Sequence, residues 1–262
     1  MKRLRSMLRT ALEKRGYWAV SKSVLPFGID YLWDIRRVAE THAVPIQCFF
    51  DIGAHEGQTA SAALSQFPKA RVYSFEPHPI SFSHLTGLSS QRFHAHRLAI
   101  SDRTGSAILY EYDAPHPGHA AQMNSLVARA QFAAAVGCCA KEIEVGCTTI
   151  DDFCSEHEIT SIDVLKIDTE GHELAVLTGA MQILSSGAVR FAFLEYNSIL
   201  PIASASGGAL APLAAVLEPL GFKLVATYPV YMMQKPLFAS FNALFFLPDD
   251  RKQGALKWRS GA

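Results

Sequence analysis

The sequence predicts an α/β fold, a three-layer sandwich around a mostly parallel sheet with an antiparallel last strand. Three observations carry this expectation. Short apolar runs alternate with helical patterns from Gln47 onward, four of those runs end in an acid, and the last two runs are joined by a short connection. The chain has 262 residues, 49% of them hydrophobic and 18% charged, enough for one substantial core. The expected organisation is an N-terminal helical extension over 1–45, one domain over 46–250 and a tail over 251–262.

The extension begins with a basic amphipathic stretch over 1–17. Leu4, Met7, Leu8, Ala11 and Leu12 share one side of a helix, with Lys2, Arg3, Arg5, Arg9, Lys14 and Arg15 largely opposite. Such a stripe either packs on the domain or makes peripheral contact with a membrane surface. A second helix is expected over Tyr31 to Thr41, and Pro45 ends the preface. Gln47 to Ile52 then reads as a buried strand, Gln58 to Gln66 as a helix and Arg71 to Phe75 as a second strand, which together make a βαβ unit. A helix over Ile80 to Leu88 leads to a third strand near His94 to Ile100 and an extra strand from Ser106 to Tyr112. The prolines and histidines of Asp113 to Lys141 break the rhythm, as an inserted lid-like segment would. Beyond it come a strand near Glu142 to Cys147, a short helix from Ile150, a strand over Asp163 to Ile167 and a helix over Glu173 to Leu184. Val189 to Leu194 is the next strand, Ala209 to Leu220 a helix, and Phe222 to Thr227 with Phe241 to Leu247 the closing antiparallel pair.

A formal charge of zero gives no global field to gather nucleic acid. The cysteines Cys48, Cys138, Cys139, Cys147 and Cys154 are odd in number and lack CxxC spacing, which suits free thiols in a reducing compartment, the cytoplasm by default. No apolar run reaches the roughly 18 residues of a spanning helix.

The densest chemistry begins at Phe49 to Thr59. An apolar run ends in Asp51, with Gly53 and Gly57 just before a helix, the arrangement of a cofactor-binding turn. A carboxylate there would repel a pyrophosphate but attract the sulfonium and ammonium groups of S-adenosylmethionine. Glu76 follows Gly57 by nineteen residues, the spacing at which an acid on a second strand can receive ribose hydroxyls; a helix cap is the plainer role for it. Ser101 and Asp102 either meet the adenine or shape the turn before Gly105. The expected cofactor set is therefore Asp51, Gly53, Ala54, His55, Gly57, Thr59, Glu76, Pro77, Ser101, Asp102 and Asp168.

Four strand ends carry acids: Asp51, Glu76, Asp168 and Glu195. In an open α/β sheet that is where ligands bind. Lys166 shares a strand face with Asp168 and is expected to pair with it. Methyl transfer to an alcohol needs a base for the hydroxyl proton, and Asp168, Glu170 or His172 could serve; His172 could equally cap the next helix. The same acids suit Mg²⁺, but without ligand geometry no metal is assigned. His94 with His96, and His116 with His119, lack a third ligand. Asn124 and Ser125 lie in the insertion, within possible reach of a cofactor or in a simple turn. Tyr228, Tyr231, Phe238 and Phe241 either line an acceptor pocket or pack the core.

Taken together, Asp51 to Gln58, Ser74 to Pro79, Thr149 to Phe153, Leu165 to Glu173 and Leu177 to Ala180 resemble, in order and spacing, the FkbM-family methyltransferases over roughly residues 47 to 200. The resemblance implies a class I, Rossmann-like methyltransferase that uses S-adenosylmethionine, with relatives acting on hydroxyls of sugars, glycolipids or polyketide products. It implies cofactor roles for Asp51, Gly53, Gly57 and Glu76, and it aligns the family's acidic element with Asp168, Glu170, Gly171 and Glu173. The expected acceptor is a small molecule or glycan, selected by 1–45 and 113–141, where no family motif falls. Two other readings are an NAD-linked oxidoreductase, which the missing GxGxxG disfavours, and a catalytically silent adaptor that uses its basic N-terminal helix.

Overall fold

The computed structural model describes residues 10–12, 14–16, 21–113, 124–128, 139–197, 209–232 and 239–249. Its elements are α1 (Tyr31–His42), β1 (Cys48–Ile52), α2 (Gln58–Gln66), β2 (Arg71–Phe75), α3 (Pro79–Leu85), β3 (Phe93–His96), β4 (Ala99–Ile100), β5 (Gly105–Asp113) and β6 (Cys139–Thr148). They continue with α4 (Ile150–Glu156), β7 (Ile162–Ile167), α5 (Glu173–Thr178), α6 (Met181–Ser185), β8 (Val189–Asn197), α7 (Leu210–Leu217), β9 (Lys223–Met232) and β10 (Ala239–Phe246). Of the segments expected from sequence, 1–9, 114–123, 129–138 and 250–262 lie outside the described residues, so the amphipathic stretch and the lid are largely beyond them. His116, His119, Cys138 and Phe238 fall outside them too.

Seven strands form one sheet in the order β3-β2-β1-β7-β8-β10-β9. The first five are mutually parallel, and β10 runs antiparallel to both of its neighbours. The antiparallel last strand is thus present, lodged between β8 and β9 rather than at the edge. Because the chain builds outward through β2 and β3, then returns to place β7 on the other side of β1, the order reverses between β1 and β7. That switch point opens a crevice at the carboxyl ends of these two strands.

Helices cover both faces, which is why β1 and β7 are nearly continuous apolar runs. Phe50, Ile52, Phe75, Phe153, Ile167, Val176 and Leu213 fill one side of the sheet. Leu32, Ile35 and Ala39 of α1 join Phe49, Val72, Val164 and Phe191 on the other, so this helix is built into the core.

Two expected elements are divided. The third strand ends at His96, and Ala99–Ile100 leaves the large sheet to pair with β6 in a three-stranded sheet ordered β4-β6-β5. The long helix after Glu173 breaks at Gly179 and Ala180 because Asp151 reaches across it. The Gly179 carbonyl accepts the Asp151 N–H at 3.0 Å, while the Asp151 carboxylate accepts the N–H groups of Gln182 and Ile183 at 2.8 and 3.0 Å and starts α6 afresh.

Candidate active site at the strand ends

The turn after β1 is built by close approach. Gly53 has φ 74°, and a Cβ there would stand 1.8 Å from the Asp168 carbonyl oxygen, so only glycine lets the ends of β1 and β7 meet. The N–H groups of Gly53 and Ala54 both donate to the Phe75 carbonyl at 3.0 Å, which ties the turn to β2. Gly57, φ 89°, serves a second close approach. A Cβ on it would meet Leu88 at 2.7 Å and Leu85 at 2.9 Å, so the bare backbone lets α2 start against α3.

Asp51 departs from expectation. It is fully buried, and its Oδ1 lies 3.0 Å from Lys166 Nζ, an ammonium that is itself buried. Lys166 also donates to the Gly53 carbonyl at 2.8 Å and stands 3.6 Å from Asp168 Oδ2. The expected Lys166 and Asp168 pair exists, but the shorter contact is to Asp51. Burial disfavours the lysine's charge, yet the two carboxylates outweigh it and hold its pKa above the ordinary value. Asp51 is therefore ion-paired beneath a lysine that itself lines the cavity, and it is buried because β1 is central and covered on both faces.

The cavity at the crevice has a volume of about 360 Å³. Gly53, Ala54, His55, Thr59, Glu76, Pro77, Asp168, Glu170 and His172 of the expected set line it, together with Lys166, Leu98, Ile100, Asn124, Ser125 and Glu195. Asp51, Gly57, Ser101 and Asp102 do not. Glu76 is the best-built acid in the wall. Its two oxygens accept the His55 and His78 N–H groups at 2.8 Å each, and burial raises its pKa against those bonds. A carboxylate has roughly four acceptor positions, so about two are left for hydroxyls.

Glu173 organises the loop after β7. One of its oxygens gathers the Thr169 N–H, the Thr169 hydroxyl and the Gly171 N–H at 3.0, 3.1 and 3.0 Å, folding the loop back on itself. That fold puts Glu170 at φ 56° and His172 into the cavity. His172 does not cap α5 with its side chain; its Nε2 lies 2.9 Å from Ser101 Oγ. Carboxylate oxygens of Asp168, Glu170 and Glu195 lie within 4.8 Å of one another, close enough for a hard cation to bridge, although acid clusters of this kind also occur without one.

The structure adds contacts at the site that the sequence pattern does not show. Tyr31 of α1 stacks on Phe193 at 3.9 Å and brings its hydroxyl 3.5 Å from Thr59 Oγ1, with burial pushing its pKa up to about 12. No motif marks it. Glu195 is visible as a strand-end acid, but the strand pattern alone attaches no role to it. Ser125 donates to the Glu170 carbonyl at 2.9 Å, which ties the insertion to the acidic loop. His94 and His96 stack with Tyr73, Tyr228 is buried and the half-buried Phe241 stacks on Tyr196, so these rings are engaged in packing.

The sheet order, its single antiparallel strand and the glycine turn beside a second-strand acid define the class I, Rossmann-like methyltransferase fold. The chain matches the methyltransferase FkbM domain over residues 51–212 and belongs to that family. It is a methyltransferase whose methyl donor is S-adenosyl-L-methionine, which leaves the oxidoreductase and silent-adaptor readings without support. It is 29% identical over 206 residues to the 2-O-methyltransferase NoeI of Sinorhizobium fredii, covering 74% of this chain and 79% of that protein. It is also 29% identical over 171 residues to the hexuronic acid methyltransferase AglP of Haloferax volcanii, covering 63% of this chain and 62% of that one. Among solved structures, the METTL16 MTase domain aligns with a TM-score of 0.47 at 12% identity, over 94% of this chain and 79% of that one. A putative RNA methyltransferase, PH1948 from Pyrococcus horikoshii, aligns with a TM-score of 0.43 at 9% identity, over 84% and 85%.

The residues present fit this donor. Gly53 lets the ends of β1 and β7 close on each other at the floor of the cavity, and Glu76 keeps acceptor capacity toward the cavity. Among the described residues, no helix is long and apolar enough to cross a membrane.

Proposed function

We propose that this chain methylates a hydroxyl of a sugar, in a glycan, glycolipid or related small molecule. The observation that carries this reading is that one cavity wall holds Glu76 and the glycine turn, and the facing wall holds Asp168, Glu170 and His172. The names of the two curated relatives, one a 2-O-methyltransferase and the other acting on a hexuronic acid, support an oxygen acceptor on a carbohydrate.

S-adenosylmethionine, when bound, supplies a methyl group on a positively charged sulfur. Glu76 would accept the ribose hydroxyls, and the backbone from Gly53 to His55 would help hold the donor. Asp168 and Glu170 accept hydrogen bonds from the sugar and orient the attacking oxygen, which makes positioning the main contribution to rate. His172 takes the hydroxyl proton. Burial lowers its pKa, with Asp102 opposing this and Arg103 adding to it, which favours the neutral ring that can accept a proton.

Asp168→Asn keeps the volume and removes the charge. The expected outcome is a folded protein with methyl transfer from isotopically labelled donor reduced at least about tenfold, an effect of one misplaced catalytic contact. Transfer at the wild-type rate would remove Asp168 from the site.

A further inference from the structure

Ser101 and Asp102 stand apart from the cavity wall, yet Ser101 hydrogen-bonds a residue on it. Ser101 is buried, and its Oγ lies 2.9 Å from His172 Nε2 and 3.1 Å from Asp102 Oδ1. A serine hydroxyl has one proton to place between these neighbours. If it went to His172, an ionised Asp102 would face an oxygen lone pair. If it goes to Asp102, the serine oxygen is free to accept the Nε2–H of the ring, and both contacts are attractive.

We propose that Asp102 and Ser101 are positioning residues that fix His172 as its Nε2–H tautomer and leave the Nδ1 lone pair as the proton acceptor in methyl transfer. The step rests on the O-methyl transfer reading above. The acceptor oxygen forms a bond to the methyl carbon as the carbon–sulfur bond breaks, its electron pair goes to sulfur to give S-adenosylhomocysteine, and the hydroxyl proton passes to Nδ1 and then to water. The resulting imidazolium donates through Nε2 to Ser101, whose hydroxyl already points to the Asp102 carboxylate.

The backbone holds this arrangement from two sides. The Ser101 N–H donates to the Thr148 carbonyl at 3.0 Å, and a Cβ on Gly179 would stand 2.1 Å from the Ser101 carbonyl oxygen. Helix α5 therefore carries His172 at its N-cap and seats Ser101 just beyond its last turn. Among the described residues, the charged groups that act on the ring are Asp102 and Arg103 on the turn after β4, which pair at 3.5 Å; Asp168 and Glu170 of its own loop line the same cavity, and Glu173 follows it as the first residue of α5. Glu173 is turned away to bind backbone.

Histidine tautomers are read directly from two-bond proton–nitrogen correlation spectra of the full chain labelled with ¹⁵N-histidine, with His172→Asn to assign the signal. The wild-type ring should show Nε2–H and a bare Nδ1. Ser101→Ala should lose that preference and move the His172 titration midpoint downward, whereas Ser101→Thr, which restores a hydroxyl, should recover both. An Nδ1–H ring in the wild type would overturn the proposal, as would Ser101→Ala spectra and midpoint identical to wild type. Calorimetry with S-adenosylhomocysteine on the same samples separates the two levels. Equal affinity in wild type and Ser101→Ala shows an intact donor site, and a wild type that fails to bind would sink the donor reading while leaving the tautomer result standing.

Discussion

At the scale of single residues, His55 and Glu170 hold left-handed backbone, φ 50° and 56°, on the two loops that face each other across the cavity. For a residue other than glycine this costs roughly 1 kcal/mol or more and persists only where surrounding contacts enforce it. Glu170→Gly should raise the unfolding free energy by about 1 kcal/mol in denaturant titration, because the strain is released, while slowing methyl transfer. Stability unchanged or lowered would mean the backbone is not strained. Glu76→Ala tests the opposite wall: losing charge-assisted bonds to ribose should weaken S-adenosylhomocysteine binding by about 2 kcal/mol, and unaltered titration heat would remove the ribose assignment. Both acids are legible in the sequence from the strand ends beside them. Asp51 lies off the cavity lining for a physical cause: position along a strand shows that an acid lies near the mouth, but not that a lysine two strand positions before Asp168 pairs with it.

At the scale of elements, β3 shows how packing overrides a simple pattern. Its His96 ring stacks on Phe75 and meets Phe153 and His157 edge to face, and Nε2 is buried without a hydrogen-bond partner. Burial, helped by the charges of His157 and His94, lowers its pKa from 6.5 to about 4. The unfolded chain therefore binds this proton first as pH falls. Stability is full above about pH 6.5, declines toward pH 4 and loses no more from this group below it. His96→Phe keeps the stacking and should flatten that decline in denaturant titrations; an unchanged slope would assign the acid sensitivity elsewhere. The strand was legible from alternation, but its end was not. Nor was the break at Gly179, since the periodicity of Glu173 to Leu184 is continuous and the interruption comes from Asp151, far away in sequence. Helix α2 and the paired strands β9 and β10, by contrast, follow directly from local pattern and turn spacing.

At the scale of the whole molecule, α1 is fastened to the edge strand β9 through a buried carboxylate. Asp34 accepts from Tyr228 Oη at 2.7 Å and from the Gly28 N–H at 2.9 Å, and it pairs with Arg37. Tyr228→Phe removes one of these donors from a charge with no access to water, and a loss of about 2 kcal/mol is expected in thermal or chemical unfolding. No loss would mean that Arg37 satisfies Asp34 alone. The overall α/β class and the crevice position were legible because strand ends, turns and helical periods recur in order. The role of α1 was not, because its partners Phe193 and Tyr228 come from distant strands.

The placement of β10 between β8 and β9 reaches beyond the finished protein. As the chain emerges from a ribosome, β8 has nothing to pair with on one side until residues 239–246 have been synthesised, and β9 has no sheet to join. The nascent polypeptide thus carries an open, apolar border from the completion of β8 until β10 has been made, the state in which a chaperone or a neighbouring copy is most able to capture it.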